Sequence, residues 1–301
     1  MTGLVVYLHT QDVEVLAPRG PIAYQERKLI FFALALSLVV VIPVFVMTFF
    51  FAWKYRETNH KAVYKPEWDH NVKVETIWWG IPTVLIFILS IAAWNGSHTL
   101  DPYRTIASKN PQMTIQVIAL DWKWLFIYPQ QHIATINYVE IPNETPVDFQ
   151  LTSDAPMNSF WIPQLGGQVY AMPGMSTELH LMANGTGTYN GLSANISGDG
   201  FADMTFKAHS TTSLSFSSWI KKVQSSKRIL NDTTYNALVS PTTANAVTYY
   251  RYESTDLFEN TVNKYNPMSM PASTMQTSPN VSDPTMTSQK TNNTSMNGMV
   301  M

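Results

Sequence analysis

The strongest hydrophobic pattern in the sequence is a pair of long apolar stretches near the N-terminus. Residues 29–53 run for 25 positions without a charged side chain, and residues 76–100 form a second uncharged stretch. A helix needs about 20 predominantly apolar residues to cross a bilayer, so each stretch predicts a transmembrane helix. Pro43 and Pro82 lie inside them, which membrane helices tolerate. Buried helices of a soluble protein and a cleaved signal peptide fit less well, because a signal core covers only about 7–15 residues.

Basic residues concentrate between the two stretches. The connecting residues 54–75 carry Lys54, Arg56, Lys61, Lys65 and Lys73. Short loops rich in Lys and Arg stay in the cytoplasm. The pattern therefore predicts a cytoplasmic loop at 54–75, an external N-terminal segment at 1–28, and an external location for everything after residue 100.

Beyond the second stretch the period of the pattern changes from helix-like to strand-like. Residues 113–120, MTIQVIAL, place Ile115, Val117 and Ala119 on one face, and TPVDFQLTSD and STELHLMA repeat this alternation. Turn signals such as Pro142-Asn143 and Pro173-Gly174 separate the segments. Short alternating strands at this spacing predict an antiparallel sandwich or barrel, which we assign to residues 101–210.

The C-terminal part divides into an arm and a tail. Residues 215–230 can form an amphipathic helix with Phe216, Trp219, Ile220 and Val223 on one stripe, and residues 257–265 favour another helix. We therefore assign a helical arm to residues 211–265. The tail at 266–301 consists largely of Met, Ser, Thr, Asn and Pro. It cannot bury enough apolar surface to order itself and is predicted to be disordered.

Composition narrows the classes of function. Net charge is −2, so nothing indicates a nucleic-acid partner. Cysteine is absent, which excludes disulfides, thiolate metal sites and a cysteine nucleophile in this sequence. Thioethers are soft ligands for Cu(I), so the methionine-rich tail leaves open a membrane-anchored copper-binding or copper-donor module. Disorder without a ligand is the simpler interpretation of that tail.

One loop has the spacing of a metal site without its ligands. Residues 191–204, GLSANISGDGFADM, read Ser193-x₃-Ser197-x₃-Phe201-x₂-Met204. A copper loop of the form Cys-x₃-Cys-x₃-His-x₂-Met has this spacing, yet Met204 alone is a ligand type. By itself the loop is open between a degenerate copper site and a chance spacing in a Gly/Ser-rich segment.

Five stretches carry a resemblance that decides between these interpretations. They are FAWKYRETN, YKPEWDHNVKVETIWWGIP, DWKWLFIYP, MNSFWIPQLGGQVYAMPGM and GLSANISGDGFADMTFKA. In this order and spacing they resemble subunit II of the haem–copper terminal oxidases, most closely the quinol-oxidising, cytochrome bo-type branch. The resemblance implies a mixed membrane/β fold, with an N-terminal two-helix transmembrane hairpin and an external cupredoxin-like β-sandwich.

The resemblance also assigns six residues to the ligand positions of a copper centre. In the cytochrome c-oxidising branch two Cys, two His, a Met and a Glu backbone carbonyl hold a binuclear copper centre. The corresponding positions here are listed in chain order: Asn158, Ser193, Asn195, Ser197, Phe201 and Met204. Ser binds copper poorly and Phe cannot coordinate it, so we expect no metal, no cofactor and no catalytic residue in this chain. The runner-up interpretation is a cytochrome c oxidase subunit II, but this sequence lacks the copper ligands that such a subunit carries.

The implied function is that of a non-redox subunit of a proton-pumping ubiquinol oxidase. Quinol would deliver electrons directly to subunit I, where the haems and copper are expected, and subunits III and IV and membrane lipid would be further partners. The implied location is the bacterial plasma (inner) membrane, with both termini outside and a periplasmic C-terminal domain.

Three further residues match positions that have a role in the family. The resemblance implies that Glu75, at the start of the second apolar stretch, is a proton-entry carboxylate for one of the channels of subunit I, although a carboxylate in the first turn of a helix is also favoured by the macrodipole alone. Trp122 and Trp124 match an aromatic segment that passes electrons from cytochrome c in copper-bearing relatives. Buried packing is the simpler interpretation for these two tryptophans.

Overall fold

Two long helices precede a β-rich domain in the computed structural model, which describes residues 13–59, 70–243, 245–253 and 256–266. Helix α1 (Pro21–Lys54) has 34 residues and helix α2 (Val72–Thr99) has 28. Because a helix rises about 1.5 Å per residue, both helices are longer than the roughly 30 Å thickness of the hydrocarbon core of a bilayer. Both are apolar enough to cross a membrane by length and composition, and their most apolar windows are not buried by the rest of the chain.

Both helices begin earlier than the uncharged stretches that predicted them. Residues 21–28 of the predicted external segment are helical, and α2 starts at Val72 inside the predicted 54–75 loop. Pro21 stands at the first helical position, where its missing N–H is no loss. The backbone N–H of Ala23 donates to the Leu165 carbonyl at 3.2 Å, so the start of α1 is attached to the β-domain.

Twelve strands form two sheets among the described residues. In chain order they are β1 (Met113–Leu120), β2 (Lys123–Tyr128), β3 (Ile133–Ile136), β4 (Tyr138–Pro142), β5 (Val147–Ser153), β6 (Asn158–Trp161), β7 (Val169–Ala171), β8 (Thr177–Leu181), β9 (Gly187–Ser193), β10 (Thr205–Thr211), β11 (Ile229–Leu230) and β12 (Thr248–Tyr252). The first sheet has the order β11-β12-β3-β2-β1-β5-β8 and the second β4-β10-β9-β6-β7. Most strand pairs are antiparallel, as predicted for the sandwich, but the pairs β1–β5, β4–β10 and β11–β12 are parallel.

The larger of two apolar clusters contains side chains from both sheets. The predicted alternation in β1 is confirmed, since Ile115, Val117 and Ala119 all belong to this cluster. Aromatic rings fill it, with Phe160 stacked on Phe206 at 5.1 Å between ring centroids. Trp124, from the aromatic segment, is fully buried among these rings, as the packing interpretation predicted.

The opposite face of the first sheet is buried by the C-terminal arm. Ile118 and Leu120 of β1 form a second apolar cluster with aromatic and aliphatic residues of the arm: Leu230, Tyr235, Tyr250, Tyr252, Leu257 and Phe258. Buried strands carry apolar residues on both faces, which explains why IAL and LFI in β1 and β2 do not alternate.

The arm is helical, as predicted, but it also supplies two strands. Its helices are α3 (Ser213–Gln224), α4 (Asp232–Val239) and α5 (Leu257–Lys264). The predicted stripe is confirmed, because Phe216, Ile220 and Val223 are buried, but α3 ends at Gln224 instead of continuing to residue 230. Strands β11 and β12 extend the first sheet beside β3, which the sequence interpretation missed. Residues 267–301 of the predicted disordered tail lie outside the described residues, as do 1–12 and 60–69.

Candidate functional site

The loop with copper-site spacing connects β9 to β10 in the second sheet. Ser193 is the last residue of β9, and a single 3₁₀ turn, Phe201–Asp203, leads to Met204 just before β10. Asn158 begins the neighbouring strand β6. The pairing of β6 with β9 sets Phe160 opposite Ser193. Sheet pairing therefore places Asn158 next to the loop, 35 residues away in sequence.

Hydrogen bonds connect three of the six predicted ligand positions. The Ser193 hydroxyl donates to Asn158 Oδ1 at 3.0 Å and lies 3.3 Å from the Asn195 carbonyl oxygen. The amide of Asn195 donates to the Met157 carbonyl at 2.9 Å, and that of Asn158 donates to the Pro156 carbonyl at 2.8 Å. Asn158 and Ser193 are 1% and 2% exposed. These buried polar groups satisfy one another without an ion.

The other three positions have different environments. Met204 is fully buried in the larger apolar cluster, and its backbone carbonyl accepts the Ser193 N–H at 3.1 Å. The Ser197 hydroxyl is buried without a hydrogen-bond partner among the described residues. Phe201 is half-buried and has no donor or acceptor on its side chain.

Trp122 supports the loop from the adjacent sheet. Its indole N–H donates to the Ser197 carbonyl at 3.4 Å, and its ring covers the backbone of Gly198 and Gly200. A Cβ at Gly200 would come within 2.3 Å of that ring, and Gly198 adopts a φ of +120° that glycine tolerates best. The conformation of the loop therefore depends on glycines packed against Trp122.

The residues at this site do not fit a binuclear copper centre. Such a centre needs soft bridging thiolates, whereas the two bridging positions hold serine hydroxyls. One of these hydroxyls is already hydrogen-bonded to Asn158. Phe201 supplies no ligand atom, so the only soft donor of the six is the thioether of Met204.

Glu75 lies at the opposite end of α2 from the β-domain. The helix is capped by Asn71, whose side chain accepts the N–H groups of Lys73 and Val74. The Asn71 N–H donates back to Glu75 Oε1 at 3.3 Å, and His70 Nδ1 lies 2.7 Å from the same oxygen. This reciprocal arrangement resembles a capping box. Glu75 therefore has a helix-capping role in the structure, and its side chain is 48% exposed.

A buried carboxylate that the sequence interpretation missed attaches the arm to the sandwich. Asp154 follows β5, and its side chain is fully buried. It accepts hydrogen bonds from the hydroxyls of Tyr235 and Tyr265 at 2.8 and 2.5 Å and from Lys264 Nζ at 2.6 Å. Its only signal in sequence was a lone acidic residue after an apolar strand, which is typical of a turn.

The fold and the site define a class, namely a two-helix, membrane-anchored subunit whose β-domain has the frame of a copper protein. Residues 129–211 match the family described as cytochrome c oxidase subunit II, periplasmic domain, and residues 224–269 match the COX aromatic rich motif. The chain is 49% identical over 254 residues to cytochrome bo(3) ubiquinol oxidase subunit 2 of Pseudomonas aeruginosa, covering 84% of this chain and 77% of that protein. It is 44% identical over 257 residues to ubiquinol oxidase subunit 2 of Acetobacter aceti, covering 85% and 83%.

The chain belongs to the family of cytochrome bo-type ubiquinol oxidase subunit 2. The resemblance given from the sequence and the cupredoxin-like fold class are thereby confirmed. Among solved structures, the periplasmic domain of cytochrome oxidase subunit II of Bradyrhizobium japonicum matches with a TM-score of 0.37 and 20% identity, covering 40% of this chain and 96% of that one.

Proposed function

We propose that the chain acts as a subunit of a quinol oxidase complex and carries no redox centre of its own. The observation that supports this most directly is the Ser193–Asn158 hydrogen bond at the position of two copper ligands. Electrons that enter from quinol need no external copper port. The haems and copper that reduce oxygen then belong to subunit I, and this chain contributes assembly and packing.

Metal analysis of the purified full-length chain tests the copper-free proposal. We expect no stoichiometric copper and no near-infrared copper absorption, both with the tail present and after its removal at residue 266. The untruncated chain is the matched control for thioether binding by the tail. About two coppers per chain after truncation would contradict the proposal.

A second test addresses the complex. Affinity purification of the chain from bacterial membranes should bring down a haem-bearing subunit and quinol oxidase activity. Recovery of the chain alone, free of haem, would favour the copper-donor alternative. That alternative rests on methionines outside the described residues, whereas family membership supports the oxidase subunit.

The proposed topology has both termini outside the cytoplasm and residues 54–75 inside. It is supported by the basic residues of that loop and by the match of residues 129–211 to a domain named as periplasmic. The proposed location is the bacterial inner membrane, with subunits I, III and IV and lipid as neighbours.

We also propose that Glu75 brings protons from the cytoplasmic side toward the oxygen-reducing subunit. Oxygen reduction consumes protons inside the membrane, so a polar entry route is needed. The support is the location of Glu75 at the loop end of α2, with His70 2.7 Å away. The exposed side of this pair is available to a partner subunit or to water.

A further inference from the structure

Three potential metal ligands share the outward face of the first sheet at its β8 edge. Strands β5 and β8 pair antiparallel with Asp148 opposite His180 and Gln150 opposite Glu178. The alternate residues Phe149 and Leu179 belong to the larger apolar cluster. Because successive side chains of a strand point to opposite faces of the sheet, Asp148, Glu178 and His180 lie on the other face. Their ligand atoms all lie within 4.8 Å of one another.

His180 is held in one tautomer by the segment that follows α2. Its Nδ1 lies 3.0 Å from the Pro102 carbonyl oxygen, which can only accept, so Nδ1 carries the hydrogen. The His180 backbone N–H donates to the same oxygen at 3.1 Å. Metal-ligating histidines usually donate their second ring N–H to a carbonyl or a carboxylate in this way. The Nε2 atom of His180 is the one that faces the two acidic residues.

A buried carboxylate oxygen without a hydrogen-bond partner among the described residues lies beside Nε2. Asp148 Oδ1 is 3.8 Å from His180 Nε2, which is too long for a hydrogen bond. That oxygen is buried and has no hydrogen-bond partner among the described residues, and the Asp148 side chain is only 9% exposed. Gln112 Nε2 lies 3.4 Å from His180 Nε2, consistent with Nε2 acting as an acceptor. Two buried acceptor atoms, His180 Nε2 and Asp148 Oδ1, therefore face each other, and the Glu178 carboxylate lies beside them.

We propose that Asp148, Glu178 and His180 bind one divalent cation of the Zn²⁺ class. An imidazole nitrogen and two carboxylates suit Zn²⁺, which takes such ligands at about 2.0–2.2 Å. Tetrahedral ligands at that distance are roughly 3.4 Å apart, so the 3.8 Å separation needs only a small closure. Gln112 is exposed and its amide can give way to the ion. The cation would join the sheet edge to the Pro102 segment below α2.

Zinc binding to the full-length chain in detergent tests this proposal. After chelator treatment, equilibrium dialysis at low-micromolar free Zn²⁺ should give about one Zn²⁺ per chain, with one nitrogen ligand in the X-ray absorption spectrum. Asp148→Asn and His180→Gln should each weaken binding beyond the roughly 10–100-fold that loss of an outer-shell partner causes. His209→Gln is the matched control, because His209 contacts the Tyr138 hydroxyl at 3.1 Å on another sheet.

The variant Glu178→Gln separates loss of Zn²⁺ binding from loss of folding. Glu178 is half-buried, so its replacement should leave the circular dichroism melting curve unchanged. It should still weaken Zn²⁺ binding at least about 10-fold. No Zn²⁺ on the wild-type chain would overturn the proposal. Equal occupancy in the wild type and in all three ligand variants would also overturn it, because the ion would then lie elsewhere.

Discussion

Replacement of Asp154 should separate the C-terminal arm from the sandwich. This carboxylate accepts hydrogen bonds from Tyr235, Lys264 and Tyr265, which are 81, 110 and 111 residues away in sequence. The Asp154 side chain is fully buried, whereas that of Lys264 is 51% exposed. The three contacts therefore differ in strength, and their variants should follow a defined order.

The magnitudes follow from burial. A hydrogen bond to a charged group contributes about 1.5–3 kcal/mol, and that full value applies only to Tyr235, which is 7% exposed. Solvent screening reduces the contacts of Lys264 and Tyr265 to about 1 kcal/mol or less each. Asp154→Ala removes all three contacts and takes away the acceptor of the buried Tyr235 hydroxyl, so it should destabilise the domain by roughly 3–5 kcal/mol. Tyr235→Phe should cost about 2 kcal/mol, and Tyr265→Phe under about 1 kcal/mol.

Thermal unfolding of the full-length chain in detergent, followed by near-ultraviolet circular dichroism, measures these effects. For a domain of this size Asp154→Ala should lower Tm by roughly 6–20 °C. Faster chymotrypsin cleavage within the arm should accompany it, because the arm opens locally. Asp199→Ala, at an exposed loop position, is the matched control. An Asp154→Ala variant with the Tm of this control, or a larger loss in Tyr265→Phe, would refute the reasoning.

The same cluster predicts a pH dependence. Burial alone would lower the pKa of Lys264, but the hydrogen bond and charge of Asp154 outweigh it and raise this pKa. Burial and the adjacent Asp154 carboxylate raise the pKa of Tyr265. A raised folded-state pKa gives stability that is complete below the unfolded pKa and is lost as pH rises through the folded one. Stability from this cluster should therefore persist at neutral pH and fall above about pH 10. Tyr265→Phe with Lys264→Met should flatten that fall in melting curves.

Two further predictions concern the membrane part. Glu75→Ala and Glu75→Gln should assemble with normal haem content but turn over slowly, with a milder defect in Glu75→Asp; normal turnover of the Ala variant at full haem occupancy would leave Glu75 as a helix cap only. Glu57→Gln, an exposed change on the other side of the loop, is the control in oxygen-consumption assays. For the topology, protease added to intact spheroplasts should remove the C-terminal domain, and its protection would mean that the orientation is inverted.

The sequence by itself determined the elements whose signal is local. The charge-free stretches 29–53 and 76–100 predicted α1 and α2 because length and hydropathy suffice for a membrane helix. Alternation of side chains predicted the inward face of β1. The mismatch with the copper-ligand pattern also follows from residue identity, since Ser193, Ser197 and Phe201 lack the thiolate and imidazole donors of that pattern wherever the fold places them.

The tertiary structure decided what depends on pairing between distant segments. Strand β12, TYYRY, has the aromatic composition of a strand, but only its pairing with β3 adds it to the first sheet. The parallel pairing of β1 with β5 likewise has no local signature. From the sequence, Asp154 is interpreted as a turn residue, and only the packing of α4 and α5 against it shows that it is buried. Asp148 and His180 become neighbours only through the β5–β8 register, because a shift of one residue would turn one of them into the core.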